Sequence, residues 1–240
     1  MEKQEEITIL VVDDEPALRE IFSGWVESLH CGKVLTASDG MEALEIIKTS
    51  NITLLITDVR MPRMDGAELV KRLSELARVP SIVFISAFSD VDEREMYELG
   101  AESFLTKPLR KEDLLRAVER ALANPADLWT TPPEQPARQA ITIEDAGAPI
   151  STGASYFQLG RGGFCVRYPE TIGLGKVDFV LNLGGDVTLR GSGNVRWRSR
   201  AEGLVGIEFS YLNESSQGYV IDRIVAAWPH CYIPSSLGRA

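Results

Sequence analysis

Residues 7–123 alternate between short apolar runs and stretches in which apolar side chains recur at helical spacing. The apolar runs cover Ile7–Val12, Val34–Ala37, Leu54–Thr57, Ile82–Ser86 and Ser103–Thr106. The helical patterns cover 18–29, Met41–Lys48, Ala67–Ala77, Asp90–Leu99 and Lys111–Ala123. Strands that alternate with helices are typical of a parallel sheet covered on both faces. We therefore predict a doubly wound α/β domain with a five-stranded parallel sheet over residues 1–123.

Three residues mark predicted helix ends in this region. The side chains of Asp39 and Ser89 can accept hydrogen bonds from the first backbone N–H groups of a helix, so both are predicted N-caps. Gly100 follows a helical pattern and can adopt the left-handed conformation that commonly ends a helix.

The hydrophobic period changes after a proline-rich stretch, residues 124–137. Proline lacks a backbone donor and favours extended chain, so we interpret this stretch as a semi-rigid linker. Residues 138–240 then alternate like strands at 177–183, 187–189, 195–197 and 205–209, with Gly184-Gly185 and Gly191-Ser192-Gly193 as predicted turns. Helical spacing returns at 220–228, with Ser215 or Ser216 as the predicted N-cap. We predict a small, mostly-β antiparallel barrel or sandwich with a C-terminal helix.

Composition narrows the class of protein. The chain has 240 residues, 44% of them hydrophobic and 25% charged, as in ordinary globular proteins. Its net charge is −10, most of it in the first half, and no basic patch or helix-turn-helix pattern indicates DNA binding. Without an apolar run of about 18 residues, no membrane insertion is expected. Cys31, Cys165 and Cys231 lack metal or disulfide spacing, which indicates a reducing, cytoplasmic location. No nucleophile and base are paired after the linker, so an enzyme is not expected.

Five chemically distinctive residues fall where predicted strands end. Asp13 and Asp14 end the first strand, Asp58 ends the third, Ser86 ends the fourth and Lys107 follows the fifth. Ligands of such folds bind beyond the carboxyl ends of the strands. Clustered carboxylates suit Mg²⁺, and a carboxylate nucleophile beside a cation, a hydroxyl and an ammonium group suits phosphoryl transfer. Each residue alone is more commonly structural, but their coincidence favours a phosphoacceptor site.

These residues resemble the receiver domain of bacterial two-component response regulators. The resemblance covers about half the chain and rests on Val11-Val12-Asp13-Asp14-Glu15-Pro16, Thr57-Asp58-Val59-Arg60-Met61-Pro62-Arg63-Met64-Asp65-Gly66, Ser86-Ala87 and Lys107-Pro108. It implies a flavodoxin-like fold with strand order 2-1-3-4-5 and phosphorylation of Asp58 by a histidine kinase or phosphotransfer protein. It also implies a Mg²⁺ site formed by Asp13, Asp14, Asp58 and the backbone carbonyl of Arg60.

The same resemblance implies a switch. Ser86 would turn toward the phosphoryl group, which Lys107 contacts, and Phe104 would enter the space that Ser86 leaves. Phe104 has no hydroxyl group, so this switch would operate by packing. The Lys107–Pro108 peptide bond is expected to be cis. Arg60 and Phe88 flank the acceptor region and are predicted to tune dephosphorylation by shielding it from water.

Residues 138–233 resemble the PilZ domain, a small barrel known for binding cyclic di-GMP. The likeness rests on Leu159-Gly160-Arg161-Gly162-Gly163-Phe164-Cys165-Val166, Val195-Arg196-Trp197 and Gly206-Ile207-Glu208-Phe209. Where the family has R-x-x-x-R, this chain has Arg138 and Thr142. Where the family has D-x-S-x-x-G, it has Gln158, Gly160 and Gly163. Arg138 and Arg161 are therefore the remaining candidates for binding the nucleotide.

Two hypotheses for the second half follow. It is either a cyclic di-GMP sensor combined with the phosphorylation switch, or a module for protein docking or dimerisation that phosphorylation alone controls. Guanidinium and carboxylate groups recognise phosphate and guanine better than neutral substitutes do, so their loss favours the second hypothesis.

Overall fold

A computed structural model describes residues 6–74, 79–87, 92–143, 157–168, 172–227 and 231–234. The chain forms two compact units. The first comprises Met1–Asp92 and Leu99–Ala123, and the second comprises Glu93–Glu98 and Asn124–Ala240. None of the described helices is long and apolar enough to cross a membrane.

The first unit is built on a five-stranded parallel sheet with strand order β2-β1-β3-β4-β5. Its strands are β1 (Thr8–Val12), β2 (Lys33–Ala37), β3 (Leu54–Asp58), β4 (Ser81–Ser86) and β5 (Ala101–Thr106). The helices of this stretch are α1 (Pro16–Glu27), α2 (Gly40–Thr49), α3 (Gly66–Leu73), α4 (Glu93–Glu98, in the second unit) and α5 (Lys111–Leu122). The predicted flavodoxin-like fold is confirmed. The predicted end of α3 at Ala77, the predicted helix start at Asp90, the Ser89 cap and Phe88 lie outside the described residues.

Strand β3 is buried along its whole length, and β1 and β4 are buried after their first residue, because helices cover both faces of the sheet. One face packs Ile9, Leu54 and Val83 against the apolar sides of α1 and α5. Two of the predicted helix ends, Asp39 and Gly100, lie within the described residues and are observed. The Asp39 carboxylate accepts hydrogen bonds from the backbone N–H groups of Met41 and Glu42 at the start of α2. Gly100, with φ of 98°, follows α4.

The second unit contains a six-stranded sheet with strand order β6-β9-β10-β11-β8-β7. The strands are β6 (Ala140–Ile143), β7 (Phe157–Leu159), β8 (Gly163–Arg167), β9 (Gly175–Gly184), β10 (Val187–Ser199) and β11 (Leu204–Leu212), followed by helix α6 (Glu214–Ala227). β6 pairs with β9 in parallel and the other pairs are antiparallel. Within the described residues no ladder joins β6 to β7. The predicted barrel is therefore observed as a mostly-β half-barrel with a C-terminal helix.

Two predicted turns have different outcomes. Gly184-Gly185 forms the β9–β10 hairpin turn, and both glycines have positive φ. Gly191-Ser192-Gly193 is not a turn, because it lies inside the 13-residue strand β10. A Cβ atom at Gly191 or Gly193 would collide with carbonyl oxygens of β11, so these glycines permit close backbone approach rather than chain reversal. The β10–β11 register shifts between Ser192 and Gly193.

The stretch interpreted as a linker packs instead on the second unit. Trp129 is buried in its core and stands edge-on to Phe209, with ring centroids 5.3 Å apart. The carbonyl of Trp129 accepts a hydrogen bond from Leu212 N, and Ala137 N donates to Asp178 Oδ2. Proline density suggested extended chain, but Leu128 and Trp129 supply apolar area whose burial favours docking.

The N-terminus of α6 is capped by Asn213, so the predicted caps Ser215 and Ser216 are wrong. Asn213 Oδ1 accepts a hydrogen bond from Ser216 N at 3.1 Å. Ser216 is buried in the first turn, where its hydroxyl accepts from Arg190 N and donates to the carbonyl of Thr188. Ser216 therefore ties α6 to β10 instead of capping it.

Replacing the cap should weaken α6 locally. We expect Asn213→Ala to lower the protection of α6 amides by about 1 kcal/mol, the usual worth of an N-cap side chain. Hydrogen-exchange mass spectrometry of peptides from 214–224 measures this. Ser215→Ala is the matched control because Ser215 is exposed, and an equal loss in both variants would contradict the assignment of the cap.

Candidate functional site

Three charged side chains predicted from the sequence meet at the carboxyl edge of the first sheet. Asp58 is the last residue of β3 and is 5% exposed, while Asp13 follows β1 and is 1% exposed. Lys107, which follows β5, places Nζ 2.7 Å from Asp58 Oδ1 and 3.0 Å from Asp13 Oδ2. One ammonium group thus bridges two buried carboxylates.

Backbone groups fix the orientation of both carboxylates. Arg60 N donates to Asp58 Oδ2, and Glu15 N donates to Asp13 Oδ1, each at 2.9 Å. These bonds come from residues two positions further along the chain, so each carboxylate is held by the loop that follows its own strand. The Thr57 hydroxyl also donates to the carbonyl of Asp58, at 2.9 Å.

Burial and pairing set the protonation of this site. Desolvation by burial raises the pKa of Asp58. The Lys107 ammonium and Arg60 N lower that pKa, and the negative charge of Asp13 raises it, so that the net shift is upward. For Lys107, burial favours the neutral amine, but hydrogen bonds to Asp58 and Asp13 outweigh it and the pKa of Lys107 is raised. The ammonium form is therefore secured at neutral pH.

The predicted switch residues lie on the neighbouring strands. Ser86, the last residue of β4, is buried, and its carbonyl accepts a hydrogen bond from Lys107 N at 2.7 Å. Phe104 is half-buried in β5 and is paired in register with Phe84 of β4. The Lys107–Pro108 peptide bond is cis, as expected. Ser86 therefore stands at the strand end between Asp58 and Lys107 in the order of the sheet.

The oxygen atoms present suit a hard cation only in part. Asp58 Oδ1 is buried, and Lys107 Nζ lies 2.7 Å from it. Asp13 contributes a second buried carboxylate, and Asp14 is exposed. Across the described ranges, no three His, Cys, Asp or Glu side chains are grouped to hold a metal ion. Any cation here would need backbone and water oxygens as well, as Mg²⁺ commonly does.

Two basic residues near the site were missed by the sequence analysis. Arg63, in the β3–α3 loop with φ of 66°, forms an ion pair with the buried carboxylate of Asp39, the N-cap of α2. Arg19 Nη1 donates to the carbonyl of Asp13 at 2.5 Å. The Arg63 contact joins two loops that are distant in sequence, and the Arg19 contact reaches a backbone carbonyl. Neither contact can be predicted from a local sequence motif.

The two candidates in the second unit lie beside opposite edge strands of its sheet. Arg138 is exposed and precedes β6, whereas Arg161 lies in the turn between β7 and β8, at the other end of the strand order. The turn around Arg161 is occupied by the chain itself. Arg161 N donates to the carbonyl of Cys231, and Gly162 N donates to that of Tyr232. A Cβ atom at Gly162 would overlap the Tyr232 ring.

The fold and the acidic edge define the class of the first unit, and comparison with known proteins agrees. Residues 9–119 match the family model for the response regulator receiver domain. The positive alginate biosynthesis regulatory protein of Pseudomonas aeruginosa is 36% identical over 117 residues, covering 48% of this chain and 47% of that protein. The Regulator of RpoS from Escherichia coli is 27% identical over 189 residues, covering 73% of this chain and 54% of that protein.

Among solved structures, the chemotaxis response regulator CheY4 of Vibrio cholerae is 30% identical, with a TM-score of 0.45, and the match covers 49% of this chain and 99% of that one. The chain spans about half the length of the curated relatives it matches. Residues 9–119 therefore form a response regulator receiver domain.

Removing the bridging ammonium should destabilise the first unit in a pH-dependent way. Lys107→Met leaves two buried carboxylates side by side, and we expect a loss of about 1–3 kcal/mol at neutral pH. Because burial raises the pKa of Asp58, the folded state holds a proton that the unfolded state releases, so the loss grows as pH rises through the raised value. Hydrogen exchange of β1 and β3 in the presence of a chelator measures it.

Lys48→Met is the matched control for this variant, because Lys48 pairs with Glu45 on an exposed helix face. We expect it to change the protection of β1 and β3 little at any pH. A pH-independent loss in Lys107→Met would contradict the electrostatic explanation.

Proposed function

We propose that the protein is a phosphorylation-dependent switch whose acceptor is Asp58. The observation that carries this proposal is the meeting of Asp58, Asp13 and the Lys107 ammonium at one edge of the sheet. A carboxylate can attack a phosphoryl group only if the charge of the incoming oxygens is offset, and Lys107 supplies positive charge beside the attacking oxygen.

The reaction follows from this geometry. One oxygen of Asp58 forms the new O–P bond as the P–N bond of a phosphohistidine donor breaks, and the electron pair of that bond returns to the histidine nitrogen. The donor is a histidine kinase or a phosphotransfer protein. Arg60 N holds Asp58 Oδ2, which leaves Oδ1, beside the Lys107 ammonium, as the attacking oxygen. Lys107 stays protonated and contacts the phosphoryl oxygens.

The residues that would hold Mg²⁺ are Asp13, Asp14, Asp58 and the backbone carbonyl of Arg60. The ion would supply further positive charge against the carboxylates and the phosphoryl oxygens. This role fits the two buried carboxylates of Asp13 and Asp58, whose negative charge the single Lys107 ammonium offsets only in part.

The response to phosphorylation begins at Ser86 and Phe104. A phosphoryl group on Asp58 adds acceptor oxygens, toward which the Ser86 hydroxyl turns to donate. Phe104 is half-buried, so it can move further inward once that hydroxyl has turned. A phenyl ring gains apolar burial by this movement, and the equilibrium shifts with phosphorylation.

The second unit is proposed to act through a protein target or self-association, without DNA binding, membrane insertion or catalysis of its own. The support is the turn around Arg161, where the residues that resemble the PilZ ligand motif are covered by Cys231 and Tyr232. Regulation by phosphorylation alone is therefore preferred to the alternative, a dual sensor in which Arg138 and Arg161 bind cyclic di-GMP.

Labelling identifies the acceptor. Asp58→Asn should abolish labelling by acetyl phosphate in the presence of Mg²⁺, because an amide oxygen is not a competent nucleophile here. A chelator should likewise abolish labelling of the wild-type protein. Asp186→Asn, at an exposed turn position, is the control and should label normally. Persistent labelling of Asp58→Asn at the wild-type level would mean that the acceptor is another residue.

Calorimetry separates the two hypotheses for the second unit. We expect no heat when cyclic di-GMP is titrated into the protein, with or without a phosphoryl mimic on the receiver, because the guanidinium and carboxylate contacts are incomplete. Micromolar binding that is lost in Arg138→Ala and Arg161→Ala would instead establish the dual sensor.

A further inference from the structure

Helix α4 belongs to the receiver by sequence and to the second unit by packing. The family match over residues 9–119 includes Glu93–Glu98, yet these six residues cluster with Asn124–Ala240. A helix of six residues cannot persist by its own hydrogen bonds, so what it packs against determines whether it forms. Its surroundings in the second unit are therefore informative.

Within the second unit, α4 completes a small hydrophobic cluster apart from the main core. We call it the Trp197 cluster; its members are Tyr97, Cys165, Trp197, Leu204, Tyr232 and Ile233. Tyr97 stacks on Tyr232 with ring centroids 6.2 Å apart and an interplanar angle of 25°. Tyr232 N also donates to the carbonyl of Tyr97 at 2.9 Å. The helix thus contributes one side chain and one backbone acceptor.

Arg94 makes a cation–π contact and an ion pair beside the ring stack. Its guanidinium carbon lies 4.7 Å from the centroid of the Trp197 ring, and Nη1 lies 2.7 Å from Glu202 Oε2. The carbonyl of Glu202 is itself held by Arg167 Nη1 at 2.9 Å. Arg94 and Tyr97 are three residues apart and so lie on the same side of the helix. That side is the one that meets the sheet.

One side-chain donor within the Trp197 cluster is unused. Trp197 is 6% exposed, and its indole Nε1–H is buried without a hydrogen-bond partner in the described part of the chain. A buried donor without an acceptor is costly relative to one in water. The indole nitrogen lies over Gly206 of the neighbouring strand β11, 2.1 Å from where a Cβ atom would stand, so the unused donor belongs to the sheet rather than to its contact with α4.

We propose that the surface formed by Cys165, Trp197, Leu204 and Tyr232, the Trp197 patch, is a docking surface that α4 covers in the unphosphorylated protein and uncovers after phosphorylation. The trigger rests on the proposed function of Asp58. Helix α4 lies between Ser86 and Phe104 in the sequence. A rearrangement of Ser86 and Phe104 therefore acts on the chain at both ends of α4. Once free, the patch accepts a helix that presents a cation and an aromatic ring three residues apart.

The buried thiol of Cys165 provides a direct readout of this covering. Burial raises the pKa of Cys165 to about 12, and its side chain is inaccessible beneath the cluster. A thiol reagent therefore reaches it only when the patch opens. In the full chain with Cys31→Ser and Cys231→Ser, the rate of maleimide labelling reports on Cys165 alone.

The first arm of the experiment tests the contacts of Arg94 and Tyr97 with the second unit, without phosphorylation. We expect Arg94→Ala and Tyr97→Ala each to raise the labelling rate by about tenfold, since each removes a ring or cation contact. Tyr97→Phe keeps the stacked ring and should label at nearly the parent rate. Glu95→Ala, at an exposed position of α4, is the matched control. Equal rates in all four variants would overturn the docking of α4 on the patch.

The second arm tests the trigger. Acetyl phosphate with Mg²⁺ should raise the labelling rate of Cys165 by about tenfold, and Asp58→Asn should prevent the rise. The extent of phosphorylation is measured by mass spectrometry in the same samples. Full phosphorylation with an unchanged rate would overturn the inference and leave the proposed function standing. Absence of phosphorylation would overturn the proposed function and the trigger, while the first arm would still decide the docking.

Local opening must be distinguished from unfolding of the half-barrel. Hydrogen exchange of β9 and the β9–β10 turn, which lie outside the Trp197 cluster, should stay unchanged in every variant. Loss of that protection together with fast labelling would mean that Arg94 and Tyr97 support the fold of the second unit, and would contradict a detachable helix.

Discussion

The receiver site depends on one ammonium group held between two buried carboxylates. Asp13 and Asp58 follow adjacent strands, β1 and β3, so the topology brings two negative charges together away from water. Two such carboxylates stay ionised together only when a cation lies between them. Lys107 comes from β5, two strands beyond β3, and the length of its side chain covers that distance. Ser86 lies on the intervening strand, β4, so its strand end stands between those of Asp58 and Lys107 in the sheet.

The second unit uses both faces of its sheet. Phe164, Phe179 and Phe209 pack together in the main core, with centroid distances between 5.0 and 6.0 Å. Alternation along β8 then turns Cys165 to the other face, into the Trp197 cluster. A sheet with two apolar faces needs a cover for each, and α4 provides part of the second cover.

Most elements of the first unit can be predicted from the sequence, because apolar runs alternate with stretches of helical spacing. Parallel strands that are buried on both faces are continuous apolar runs. The site was predictable for the same reason: strand ends locate Asp13, Asp58, Ser86 and Lys107 before any contact is known. Arg63 was not, since its pairing with Asp39 depends on tertiary approach of the loop to α2.

The second unit departs from the simple pattern where local signals compete with packing. Val195 and Trp197 should share a face by strand alternation, yet Val195 lies in the main core and Trp197 in the other cluster. The register of β10 against β11 shifts between these two residues, and such a bulge turns the following side chain to the opposite face. A period-2 pattern cannot reveal this, and the prolines of 124–137 similarly concealed the burial of Trp129.

The overlap between Gly162 and the Tyr232 ring has a consequence for how this sequence can vary. The ring fills the volume that any other residue at position 162 would need, so the two positions cannot change independently. A larger residue at 162 is compatible with the fold only if position 232 becomes small, which would also remove the ring on which Tyr97 stacks. Among related chains, positions 97, 162 and 232 should therefore covary as a triplet, and a lineage that loses one of them should lose the helix contact as well.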